Sequence, residues 1–97
     1  MMKDTQYTVD YFIEKFEKIP DEKWVVGDFG FNGTHCAFGH CGMVNANECT
    51  SESKALMSIF GNVSIVRTND GSIGIGNTPK ERILNKLKEI KESTNGN

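Results

Sequence analysis

Four stretches of the chain carry apolar residues at regular spacing, and polar or glycine-rich segments separate them. Phe12, Ile13, Phe16 and Ile19 recur at intervals of three and four, which predicts a helix with one apolar face. Thr8 is placed to cap it, Asp10 sits in its opening turn, and Pro20 ends it because the residue before a proline resists the α conformation. Ala55, Leu56, Ile59 and Phe60 form the stripe of another helix, capped by Thr50 or Ser51 and stopped by Gly61. Ile83, Leu84, Leu87 and Ile90 predict a last helix. Thr78 caps it, Pro79 takes the first helical position, and Glu81 completes a Thr-x-x-Glu capping box. Lys86, Lys88 and Lys91 load its later turns favourably for the dipole.

Between the last two helices the period changes. Residues 62–68 alternate Val63, Ser64 and Ile65 and end in Val66-Arg67, which predicts a strand. Asn69-Asp70-Gly71 is a turn signal, because all three residue types tolerate positive φ, and 72–76 would return as a second strand. Residues 27–33 hold three glycines and read as a loop or tight hairpin carrying Phe29 and Phe31. A short helix from about His35 to Val44 and a polar connection over 45–50 follow. The expected fold is α+β: three or four short helices packed on a small antiparallel β-hairpin. It forms a single domain over 1–97, with an ordered core of about 8–92 and a frayed polar tail over 93–97.

Ninety-seven residues allow one modest core, and the small core with ten glycines points to homo-oligomerisation as additional burial. A net charge of -2 gives no general attraction to a nucleic acid polymer or an anionic membrane. Met1 to Lys18 is charged throughout, with no apolar run resembling a signal peptide, and no segment reaches the length of a membrane span. Three cysteines, an odd number, fit reduced thiols in the cytoplasm better than a disulfide framework.

Candidate chemistry concentrates in Gly33-Thr34-His35-Cys36-Ala37-Phe38-Gly39-His40-Cys41-Gly42, followed by Cys49. Cys36 and His40, four apart, would share a helix face, with Cys49 as a third zinc ligand. The spacing lacks the second ligand pair of a structural zinc site, so neither a metal nor any other cofactor is expected. Cys36 also follows a glycine loop at a helix start, where free amides favour a thiolate and His40 offers a base. No carboxylate is identifiable to orient that base, so no catalytic residue is assigned. Buried cysteines behaving as small hydrophobes account for the segment more simply. Trp24, Phe29, Phe31 and Phe38 flank the glycine loop and read as core, or alternatively as a stacking surface for a planar ligand or a partner.

The segment from Asn69 to Arg82 is the candidate ligand site. Glycines run into a helix start there, so free amides, the helix dipole and the cations Lys80 and Arg82 favour an anion such as a nucleotide. The spacing matches neither the P-loop nor the dinucleotide fingerprint, Pro79 removes one amide donor, and Glu81 opposes an anion. A turn followed by a well-capped helix is the simpler alternative. The predicted ligand-binding residues are Arg67, Asn69, Gly74, Gly76, Thr78, Lys80 and Arg82.

The order of Ile19-Pro20, Trp24, Cys36-Ala37-Phe38-Gly39-His40-Cys41-Gly42, Asn69-Asp70-Gly71 and Thr78-Pro79-Lys80-Glu81-Arg82-Ile83-Leu84 resembles a group of small bacteriophage and prophage accessory proteins with no established activity. The likeness spans about residues 9 to 90. It implies an accessory protein of phage type, and such proteins often inhibit or sequester components of host defence. The resulting reading is a non-enzymatic binding protein that takes a small anionic ligand or a host protein. A thiol- or metal-dependent hydrolase centred on Cys36 and His40, and a small structural zinc module, are the alternatives.

Overall fold

The computed structural model describes residues 7–26, 30–31, 34–43 and 48–95. These form five α-helices: α1 (Val9–Glu17), α2 (Ala37–His40), α3 (Ser51–Phe60), α4 (Ile65–Asp70) and α5 (Pro79–Asn95). A 3-10 turn at Asp21–Lys23 follows α1. Extended pairing among the described residues is confined to β1 (Gly30–Phe31) against β2 (Thr34–His35) and a bridge from Trp24 to His35.

Threonine caps start the three longer helices. Thr8 Oγ1 accepts from the Tyr11 amide, Thr50 Oγ1 from Ser53, and Thr78 Oγ1 from Glu81. At α5 the capping box is displaced by one residue: the Glu81 carboxylate accepts from the Asn77 amide at 2.6 Å rather than from Thr78. α1 and α5 run antiparallel, because Lys91 Nζ meets Asp10 Oδ1 at 2.7 Å at one end while Lys80 Nζ donates to the Glu17 carbonyl at 3.1 Å at the other. Phe12, Phe16, Leu56, Ile83 and Leu87 are fully buried between α1, α3 and α5. Each such side chain stabilises the fold by roughly 1.5–3 kcal/mol. Phe16 meets Trp24 edge to face at 5.3 Å, which extends the core toward the Cys/His segment.

The α+β expectation is overturned: the chain is mostly helical, and no hairpin forms over 62–76. Residues 65–70 are helix α4, capped by Ser64, whose hydroxyl accepts from the Arg67 amide. The buried side of this helix is Ile65, Thr68 and Asn69, at helical spacing. Two of those three residues are polar, so a hydrophobic pattern hides the helix and leaves only the Val63/Ile65 alternation visible. Asn69-Asp70-Gly71 is accordingly not a hairpin turn but a helix end. Gly71 takes φ +97°, and the Arg67 carbonyl collects the amides of Gly71, Ser72 and Ile73. Residues 72–78 then cross to α5 without regular structure.

Two smaller expectations also shift. The helix expected from about His35 to Val44 is four residues long and begins after Cys36. Residues 93–95, expected in a frayed tail, continue α5, and 96–97 lie outside the described residues. Phe29 and most of the glycine loop, residues 27–29 and 32–33, lie outside them too, as do 44–47 of the polar connection.

Candidate functional site

The Cys/His segment is tied into the core by its neighbours. The Val25 amide donates to the His35 carbonyl at 3.1 Å, and Thr50 Oγ1 donates to the Cys41 carbonyl at 2.7 Å. Cys36 occupies the cap position of α2 but its side chain makes no capping bond. The Ala37 amide is instead taken by Asn69 Oδ1 at 3.1 Å, from 32 residues away. Asn69 Nδ2 donates to the Val25 carbonyl at 2.9 Å and to Asp70 Oδ1 at 3.1 Å. A single fully buried amide thus joins α4, α2 and the chain after Trp24.

Burial favours the protonated form of the two thiols of this segment, Cys36 and Cys41. Burial pushes Cys36 up, and the nearby backbone amides of Gly39 and Phe38 offset this only in part. Burial, and next the Glu52 carboxylate, push Cys41 up to about 12. His40 does not address either sulfur. Its Nε2 lies 3.1 Å from the Lys23 carbonyl, its ring packs on Trp24 at 4.7 Å, and His35 meets it edge-on at 5.2 Å. Burial, and next His35, lower its pKa to about 4. Among the described residues no three His, Cys, Asp or Glu side chains lie close enough to hold a metal ion. Cys49 is exposed and apart from Cys36 and Cys41 in burial.

The seven residues of the predicted ligand site fall into three groups. Asn69, Gly74, Gly76 and Arg82 come together. The Arg82 guanidinium spans three carbonyls, donating from Nε to Thr68 at 2.9 Å, from Nη2 to Asn69 at 2.8 Å and from Nη1 to Gly76 at 3.3 Å. Gly74 packs against Thr68 and the Arg82 Cβ. Thr78 and Lys80 turn toward the end of α1: Thr78 Oγ1 donates to Asp21 Oδ1 at 3.1 Å, and Lys80 to the Glu17 carbonyl. Arg67 stands apart, exposed on α4.

Two residues outside the predicted set complete this region. Asn85, one turn after Arg82, donates from Nδ2 to the Ile75 carbonyl at 2.8 Å. Residues 75, 76 and 77 are therefore each held by a different side chain of α5: Asn85, Arg82 and Glu81. Gly76 takes φ +142°, and a Cβ there would stand 2.9 Å from the Arg82 nitrogen, so only glycine fits. The Ile75 side chain is left in water, 80% exposed, beside an open groove of about 520 Å³. The signal in the sequence is an isoleucine between two glycines, with a polar residue three positions after Arg82 on the helix that follows.

No family model matches the chain, and comparison with curated proteins and with solved structures returns no match.

Proposed function

We propose that this chain is a non-enzymatic binding protein that recognises another protein through the apolar tip of the loop over 71–78. The observation that carries this reading is Ile75: a large apolar side chain, 80% exposed, on backbone fixed at three successive residues by α5. A loop already held in one conformation loses little conformational entropy on association, so an anchor residue on it retains most of its burial energy.

The same geometry disfavours the small-anion alternative. Arg82 and Lys80 spend donors on main-chain carbonyls, and the Asp21 and Glu81 carboxylates stand at the start of α5. An anion would meet two like charges and compete with bonds already made. The hydrolase alternative needs a thiolate and an available base. Cys36 is raised, and His40 is lowered and directed at Lys23.

Carried over as part of this proposal, the resemblance to phage accessory proteins makes the partner a host protein, with components of host defence as the first candidates. The test is affinity capture from host lysate with the unmodified chain and with Ile75→Asp, matched for thermal stability. A protein retained by the first and lost with the second supports the reading. Calorimetry with nucleotides is the counter-test: binding that Lys80→Ala abolishes would move the function to the anion site.

A further inference from the structure

We infer that the groove beside Ile75 is closed, in the free protein, by a second copy of the same chain in a two-fold dimer. This rests on the reading of the 71–78 loop as a protein-recognition surface: the second copy covers that surface in the free protein, and the host protein displaces it.

The groove has two unlike walls. Val63, Ile73 and Ile75 supply an apolar wall, and Asn85, Lys86 and Glu89 of α5 supply a polar one. Lys86 and Glu89 are one helical turn apart and bear opposite charges, 3.3 Å from each other. A two-fold axis across α5 midway between them places Lys86 of one copy on Glu89 of the other, twice. A surface that meets itself must be complementary to itself, so its charges must cancel within the patch. This patch meets that requirement, although the whole chain carries -2. A surface steered toward a partner of defined charge would instead carry an excess of one sign.

Shape gives the same answer. Ile75 projects from the rim of the groove that it helps to line, so each copy offers both a knob and a recess. The two-fold relation lets both knobs be buried at once. Val66, 46% exposed on the neighbouring helix α4, adds apolar surface continuous with Val63. In a short chain with a modest core, burying these side chains against a second copy removes apolar surface that one copy leaves in water.

Sedimentation equilibrium of the full chain at micromolar concentration tests this, with circular dichroism confirming that each variant folds. The unmodified chain should be dimeric. Ile75→Asp should leave a monomer. Lys86→Glu puts two acidic residues from each copy at the axis and should weaken the dimer by at least about tenfold. Lys86→Glu combined with Glu89→Lys restores opposite charges and should recover the dimer to within about threefold. A monomeric unmodified chain overturns the inference while leaving protein recognition by Ile75 standing. A dimer indifferent to Ile75→Asp and to Lys86→Glu overturns it as well, because the contact then lies elsewhere. Recognition by Ile75 fails separately, if Ile75→Asp still captures the same host protein.

Discussion

Asn69 caps the first amide of a helix that begins 32 residues earlier, its Oδ1 accepting the Ala37 N–H at 3.1 Å. The bond replaces the cap that Cys36 does not provide. It also makes α2, a helix of four residues, dependent on α4 for its geometry.

Asn69→Ala should therefore destabilise the whole fold, since it strands the Ala37 amide and the Val25 carbonyl in a buried place. The expected loss is about 3 kcal/mol, read as a lower urea midpoint at unchanged slope. A loss below about 0.5 kcal/mol, the size of an ordinary surface substitution, would mean that water replaces the amide.

Arg82→Lys should be far from conservative. One ammonium cannot reach the carbonyls of Thr68, Asn69 and Gly76 together, so the loop loses its clamp. The cost should be about 2 kcal/mol, with faster amide exchange over 72–77 and little change in α1 or α3. Uniform acceleration across all helices would instead assign Arg82 to global stability.

Acid should weaken the fold through His40. Its folded pKa is lowered from 6.5 to about 4, so the folded chain prefers the neutral ring. This contribution to stability is complete above pH 6.5 and is lost as pH falls from 6.5 toward about 4. His40→Phe keeps a ring against Trp24 but cannot titrate. Urea unfolding at neutral pH and at about pH 5 should show a smaller acid loss in that variant than in the unmodified chain. Equal losses would place the acid sensitivity outside His40.

Alkylation at neutral pH should mark Cys49 first. It is exposed, whereas Cys36 and Cys41 are buried and their thiols are pushed up, Cys41 to about 12. Mass spectrometry of the intact protein after brief iodoacetamide treatment should show one adduct per chain, and peptide mapping should place it at Cys49. Rapid labelling of Cys36 would revive the nucleophile reading, and Cys36→Ser would then be expected to lose activity rather than retain it.

Helices α1, α3 and α5 were legible because their signals are local. Thr8, Thr50 and Thr78 each reach an amide three residues on, and the apolar periods lie on single faces. Helix α4 was not legible, because its buried side is held by Thr68 bonding within the helix and by Asn69 bonding to Val25 and Ala37. Polar burial of that kind depends on partners far away in the chain, and no local rule anticipates it. The loop over 71–78 stood out by its glycines, but the acceptors that occupy Arg82 and Lys80 are main-chain carbonyls. Those come into reach only once α4 bends the backbone toward α5 and α1 packs beside it. Ile75 reads in sequence as part of a strand because it is an isolated isoleucine between glycines, and Asn85 is one polar position among many on the last helix.

Adjacent positions in this loop have opposite tolerances to mutation. Any replacement of Gly76 forces a side chain against the Arg82 backbone and is removed by selection on folding. Replacement of Ile75 leaves the conformation of the loop in place, because its main chain is held from α5 and not by its own side chain. A lineage can therefore exchange the contact residue in one step, without a permissive change elsewhere. On the proposed reading of Ile75 as the anchor, the choice of partner then diverges faster than the scaffold that displays it.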